Sequence, residues 1–376
     1  MHYLGLFLIS LVVSAVFVPV VKKLSFKIGA LDIPNTPRKI HSMPMPLLGG
    51  LAIFISLILT GIFYLNFFNP DAPILPLKFF GALALGGLIL MFGGYLDDKY
   101  NLPPLQQVVF PIAAVLVVLW SGIGVGIAQL SNPFGAPINL SFHLLGIPFS
   151  AIFVFIFMIG MIYTTKFLDG MDGLASGISF IAGLTLFVLS LTPRINQSVT
   201  ASLAIIFCGA VLGFLIYNFN PASIFLGEGG SELLGFMLGG LSVLLGGKIA
   251  TAVLVMGIPI LDVVWVIVRR VWFGVSPFKA DRRHLHFRLL DIGFSQRQTV
   301  LSLYLISGAF GFLAIFLQSL GKLILLVVLL AVMIAIAVGT VVAFKHKYPH
   351  IPESEGTFIP DSEQPANDPA NRPADR

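Results

Sequence analysis

Charge is scarce in this sequence. Asp, Glu, Lys and Arg make up 10% of its 376 residues, against 57% hydrophobic, where a soluble domain carries about 25% charged residues. So little charge cannot dress a water-facing surface. A soluble enzyme and a free nucleic-acid-binding protein are therefore excluded, and nucleic acid is not an expected partner. Cysteine is scarcer still: the single Cys208 excludes an intramolecular disulfide and any CxxC metal or redox site. Within its apolar run it reads as a buried helix residue. No charged segment precedes the first apolar stretch, so residues 4–20 read as a retained helix and not a cleaved signal.

What is abundant is apolar sequence, with a mean hydropathy of +0.97. A helix needs about 20 apolar residues to cross the hydrocarbon core. Spans are predicted near residues 3–21, 49–68, 79–96, 106–128, 149–166, 174–191, 199–217, 233–247, 249–268, 299–318 and 322–344. The expected fold is thus an all-α polytopic membrane protein of about eleven transmembrane helices. Residues 1–344 form one membrane-embedded domain, and 345–376, rich in Pro, Glu, Asp, Asn and Ser, form a disordered tail.

Basic residues divide unequally between the two sides. Fourteen lie in alternate segments before the tail, and only Lys78, Arg194, Lys248 and Lys322 lie on the opposite side. The positive-inside rule places the N-terminus outside and, with an odd span count, the C-terminus in the cytoplasm. The carboxylates follow the same division, which that rule does not require. Of eleven before the tail, only Asp71 falls outside. The inner face is the expected working face.

Four inner segments carry unusual chemistry. Residues 31–50, LDIPNTPRKIHSMPMPLLGG, set Asp32, Arg38, Lys39 and His41 among prolines that favour a shaped loop. GGYLDDKYNLPP places Asp97 and Asp98 at the end of an apolar helix, where adjacent acids are costly unless a cation compensates them. KFLDGMDGLASG places Asp169 and Asp172 on one face if helical, with glycines that let a phosphate approach the backbone. NFNPASIFLGEGGSELLG sets Glu228, Gly229 and Ser231 at a glycine-rich helix N-terminus suited to anions. Each has a plainer reading as well: a lipid-headgroup anchor, hydrated helix-end acids, a local salt bridge to Lys166, and an ordinary turn.

A later inner loop, KADRRHLHFRLLDIGFSQRQ, concentrates Arg282, Arg283, His284, His286 and Arg288. It carries no Cys or third His that would complete a zinc site. Contact with anionic lipid is the plain reading, and a diphosphate clamp is the sharper one, since arginine meets phosphate in a bidentate fork. Together these segments supply acids enough for Mg²⁺, anion-binding glycine turns and cations for phosphate. That is the equipment of phosphoryl transfer, where catalysis is mostly positioning and charge neutralisation.

In order and spacing the segments LDIPNTPRKIH…PLLGG, GYLDDKYNL, FLDGMDGLASG, NFNPASIFLGEGGSELLG, PILDVVWVIVRR and DRRHLHFRL resemble those of the polyprenyl-phosphate N-acetylhexosamine-1-phosphate transferases, a branch of glycosyltransferase family 4. The resemblance spans roughly residues 31–293, and the HLH-type loop is similar to that of the branch using UDP-N-acetylglucosamine. It implies transfer of a sugar-1-phosphate from a UDP-sugar to undecaprenyl phosphate in the plasma (inner) membrane, starting a cell-envelope glycopolymer. It also implies release of UMP, with Mg²⁺ as cofactor and Mn²⁺ as the substitute, and it leaves room for a homo-oligomer.

By motif position, the resemblance makes Asp97, Asp98, Asp169 and Asp172 the catalytic acids, with Asp98 as base or orienter. Glu228, Asp98 and Asp172 are the implied metal ligands. Asp32, Lys39, His41, Lys166, Gly229, Ser231, Arg282, His284 and His286 are the implied substrate-binding residues. The chain departs from the family pattern at four places. Lys166 stands for an Asn, Glu228 for an Asp, Gln107 for a Lys and Phe287 for a His. One account is a relocated charge, with Lys166 supplying the phosphate-neutralising cation that Gln107 does not. The alternatives are a member using another UDP-sugar, and a secondary transporter, which the one-sided placement of the acids disfavours.

Overall fold

The structure is a computed structural model and describes residues 2–34, 43–68, 74–123, 129–130, 132–246, 248–272, 274 and 284–347. Lys39, His41, Arg282 and the segment 348–376 lie outside the described residues. In chain order the helices are α1 (His2–Ile28), α2 (Gly49–Phe67), α3 (Ile74–Tyr100), α4 (Pro104–Gln107), α5 (Val109–Trp120), α6 (Phe149–Leu168), α7 (Leu174–Leu191), α8 (Ser198–Asn218), α9 (Glu228–Leu244), α10 (Ile249–Val255), α11 (Gly257–Trp272), α12 (Leu285–Asp291), α13 (Gln296–Phe316) and α14 (Ser319–Lys347). Among the described residues the only strands are three antiparallel pairs of two residues each.

Eight of these helices are long and apolar enough to cross a membrane, and a ninth crossing is formed if α10 and α11, bent by 79°, act as one span. This is a multi-pass membrane protein. Each of the eleven expected spans meets a helix, but two of those helices are short. The run at 106–128 is divided between α4 and α5, and α5 ends at Trp120 after 12 residues. The run at 233–247 belongs to α9, of 17 residues.

Helix α9 is the axis of the bundle. Every residue from Gly229 to Val243 is buried, as expected of a helix apolar all round. It packs against α2, α3, α6, α7, α8 and α10. On the other side of α8, α1 lies so close that a Cβ at Gly209 or Gly213 would run into the carbonyl oxygens of Phe7 and Leu11. Lipid gives no hydrophobic drive to such pairs, so close packing and buried hydrogen bonds must hold them. Ser10 Oγ meets Ser56 Oγ at 2.9 Å and donates to Ile206 O at 2.7 Å, stitching α1 to α2 and α8. The outer faces remain apolar, with Val12, Val16, Ile334 and Val338 exposed to the lipid side.

The helix ends that form the site are tied by backbone bonds. Leu31 and Asp32 pair with Pro46 and Met45. Phe225 N donates to Pro46 O, and Gly49 N and Gly50 N donate to Phe225 O and Leu226 O, all at 2.9 Å. The chain entering α2 is thereby fixed against the chain entering α9. Helix α13 begins with a reciprocal cap, Ser295 Oγ accepting from Gln298 N while Gln298 Oε1 accepts from Ser295 N.

Candidate active site

A cavity of about 1090 Å³ opens between the ends of α3, α6 and α9. All four predicted catalytic acids, Asp97, Asp98, Asp169 and Asp172, line it, and so do Asp32, Lys166, Glu228 and Ser231. Six carboxylates thus face two ammonium groups, those of Lys166 and Lys99, among the described residues. Lys99 is turned onto aromatic rings, 3.1 Å from Tyr95 Oη and 5.4 Å from the Tyr100 ring centre. Among the described residues, that leaves Lys166 as the cation facing the acids.

The two aspartates ending α3 have different partners. Asp97 Oδ1 accepts from Leu102 N at 2.9 Å and from Gln107 Nε2 at 3.1 Å, which closes the turn after α3. Asp98 Oδ1 accepts from Glu228 N at 3.1 Å, at the start of α9. This approach needs glycine on both sides. A Cβ at Gly94 would strike the Gly229 backbone, and a Cβ at Gly50 would strike Gly230. Gly229, predicted as substrate-binding, does not line the cavity; it is the surface on which α3 and α9 meet. Glu228 lies in the first turn of α9, where the helix dipole favours a negative charge.

Lys166, in the last turn of α6, reaches across to this corner. Its Nζ lies 2.9 Å from Glu228 Oε2, 3.0 Å from Glu232 Oε1 and 3.9 Å from Asp97 Oδ2. Gln107 Oε1 is 3.5 Å away.

Asp169 caps the end of α6. Its carboxyl is pushed up to about 8, first by desolvation and then by the charges of Glu228 and Asp172. Asp172 is committed to the neighbouring loop. Its Oδ2 accepts from Asn220 Nδ2 and Ala222 N, both at 3.0 Å, and Arg297 Nε holds Asn220 O at 3.0 Å. Gly173, at φ 78, turns the chain into α7. Its N–H donates to Asn218 Oδ1, which also accepts from Ser176 Oγ at 2.7 Å, and its carbonyl accepts from the Tyr304 hydroxyl.

The two histidines of the basic loop lie behind the cavity wall rather than on it. His284 Nδ1 meets Asp262 Oδ2 at 2.7 Å, and Leu285 N donates to Asp262 Oδ1 at 2.9 Å. Its ring is stacked with that of His286, at 5.6 Å between centres and 6° between planes. His286 is 2% exposed and its Nε2 has no hydrogen-bond partner among the described residues. That nitrogen faces Gly170, where a Cβ would come within 2.6 Å of it. Desolvation pulls the His286 imidazole down to about 4, with Asp262 opposing and His284 adding to the shift.

Sequence reasoning assigned no role to Asp262, Glu232, Asn218 or Asn220. Asp262 had a signal, a carboxylate inside an apolar helix, which needs a partner wherever it occurs.

Residues 80–246 match the family model described as glycosyl transferase family 4. The chain is 33% identical over 322 residues to the "Probable undecaprenyl-phosphate N-acetylglucosaminyl 1-phosphate transferase" of Bacillus subtilis, covering 83% of this chain and 84% of that one. The chain belongs to this family. It is also 31% identical to the decaprenyl-phosphate N-acetylglucosaminephosphotransferase of Mycobacterium tuberculosis, over 78% of this chain and 76% of the relative. The undecaprenyl-phosphate alpha-N-acetylglucosaminyl 1-phosphate transferase of Yersinia pestis is 30% identical, over 76% of each. The glycosyl transferase family 4 segment contains five of the six cavity carboxylates, Asp97, Asp98, Asp169, Asp172 and Glu228, while Asp32, Asp262 and the histidine loop lie outside it.

The donor set bears on a divalent cation in two ways. Six carboxylates face Lys166 and Lys99 on this cavity among the described residues, a donor set that fits a divalent cation in charge. In geometry, no group of three His, Cys, Asp or Glu side chains among the described residues closes on a point that would hold a metal. Of the predicted ligands, Glu228 is paired with Lys166 and Asp172 is tied through Oδ2 to the Asn220 loop. Asp98 and Asp169 also face the cavity and, among the described residues, are in no ion pair with a cationic side chain. Mg²⁺ suits such a place, since it takes one or two carboxylates and completes its shell with phosphate oxygens and water.

Proposed function

We propose that the chain transfers N-acetylhexosamine-1-phosphate, GlcNAc-1-phosphate in the first instance, from a UDP-sugar to undecaprenyl phosphate and releases UMP. The observation carrying this reading is the convergence of acids from four separate segments, with Lys166, on one cavity at the ends of membrane helices. The names of the B. subtilis and Y. pestis relatives supply the acceptor lipid and the sugar. At about 1090 Å³ the cavity is slightly larger than the usual small-molecule site of about 300–1,000 Å³, which suits two substrates.

The chemistry needs little from the protein beyond placement. At neutral pH the lipid phosphate is already anionic, so its oxygen can attack the β-phosphorus of the UDP-sugar directly. The bond from that phosphorus to the bridging oxygen breaks, and UMP leaves with the electron pair. Asp98, held by the Glu228 amide, is placed to orient the lipid phosphate and to take any proton it still carries. A divalent cation, Mg²⁺ or Mn²⁺, would be held by Asp98 and Asp169 and would neutralise the diphosphate. Asp262 orients the His284 ring, and with it the loop behind the cavity wall.

We read the cavity face as cytoplasmic, at the inner membrane, from the one-sided basic residues. If α5 and α9 also cross, the spans number eleven and the N-terminus lies outside. The test is release of UMP from UDP-GlcNAc by purified protein given undecaprenyl phosphate and Mg²⁺. Solute flux into vesicles without UMP would instead support a transporter.

A further inference from the structure

The Lys166 ammonium has three N–H donors and no acceptor. Two reach Glu232 Oε1 at 3.0 Å and Gln107 Oε1 at 3.5 Å, while Glu228 Oε2 at 2.9 Å and Asp97 Oδ2 at 3.9 Å pair with the charge. The charge of Lys166 is thus answered by carboxylates of the protein itself. Glu228 and Glu232 are one turn apart on α9, so both reach the same point. Glu232 is 3% exposed, and a buried carboxylate without a partner is strongly destabilising.

We propose that Lys166 is the resident cation of a carboxylate niche formed by Glu228, Glu232 and Asp97, and that it keeps divalent ions out of that niche. The spacing supports this. Oxygens at 2.9 and 3.0 Å from the central nitrogen suit an ammonium, whereas Mg²⁺ draws its oxygens to about 2.1 Å. With the ammonium in place the niche oxygens are engaged at ammonium distances, and its like charge repels a divalent ion. A divalent ion is thereby left to the other acids of the cavity. This builds on the reading of the cavity as a diphosphate site, but the binding it predicts needs no turnover.

The test is Mn²⁺ binding, read by electron paramagnetic resonance on the full-length protein in lipid nanodiscs near neutral pH, without UDP-sugar or lipid phosphate. Lys166→Met removes the charge and keeps the length of the side chain. It is expected to bind one Mn²⁺ per chain more than the unmodified protein, and adding Glu232→Gln should abolish the gain. Lys166→Gln serves the same purpose if the methionine variant does not fold. In the unmodified background Glu232→Gln should leave Mn²⁺ binding as it was. Equal Mn²⁺ numbers with and without Lys166 would overturn the proposal, and so would weaker binding in Glu232→Gln alone. A gained ion in a protein that transfers nothing would leave this inference standing and remove the proposed function.

Discussion

Asp98 accepts the backbone N–H of Glu228 at 3.1 Å, joining the end of α3 to the start of α9 across 130 residues. This bond needs an acceptor oxygen and not a charge, so Asp98→Asn can keep it while losing the carboxylate. The expected outcome is a stably folded protein whose transfer rate falls by about a hundredfold or more, the scale of a lost acid–base or orienting group. Comparable activity in the variant would remove Asp98 from the chemistry.

Gln107 and Lys166 meet at 3.5 Å, so an ammonium introduced at one position can serve the carboxylates of the other. Lys166→Asn is expected to lower transfer by about tenfold, since each tenfold needs only about 1.4 kcal/mol. Adding Gln107→Lys should restore part of it. Unchanged activity in the single variant would contradict the role given to Lys166.

Gly94 has backbone, not a flexible side chain, where a Cβ would go, against Gly229. Backbone cannot yield without moving α3 from α9. Gly94→Ala should therefore destabilise the protein by about 1–3 kcal/mol, as overpacking does, and spread the Asp98–Glu228 contact. Thermal unfolding in detergent checks the first effect. An unshifted midpoint would show that the helices are not in this contact.

His286 is buried and neutral, its imidazole lowered from 6.5 to about 4. The unfolded chain takes up that proton first. Stability from this group is thus complete above about pH 6.5 and is lost as pH falls toward 4. At about 1.36 kcal/mol per unit, the loss approaches about 3 kcal/mol. His286→Phe should flatten the fall in thermal stability between neutral and acid pH. An equal fall in the variant would mean that another group is responsible.

Much of this was legible in the sequence because charge in an apolar chain is conspicuous. Asp97, Asp98, Asp169 and Glu228 stand out against their surroundings, and the structure brings all four to one cavity. The span count was harder. Hydropathy cannot tell a helix facing lipid from one enclosed by protein, and α9 is enclosed. Nor does it mark where the helix within a run such as 106–128 stops, here at Trp120. Pairings across loops left no local trace. Asp262 and His284 are 22 residues apart, and nothing in their spacing joins them. The direction of Lys166 was likewise hidden, because it depends on Glu232, which the motifs had left without a role.

The central claim is that a sugar-1-phosphate moves to a lipid phosphate, and the fate of the β-phosphorus decides it. UDP-GlcNAc labelled with ³²P at the β position, incubated with the purified protein, undecaprenyl phosphate and Mg²⁺, should pass its label to the organic phase as a lipid diphosphate sugar. Label that stays in the aqueous UDP fraction, with protein that is folded and saturated with lipid, would contradict the account.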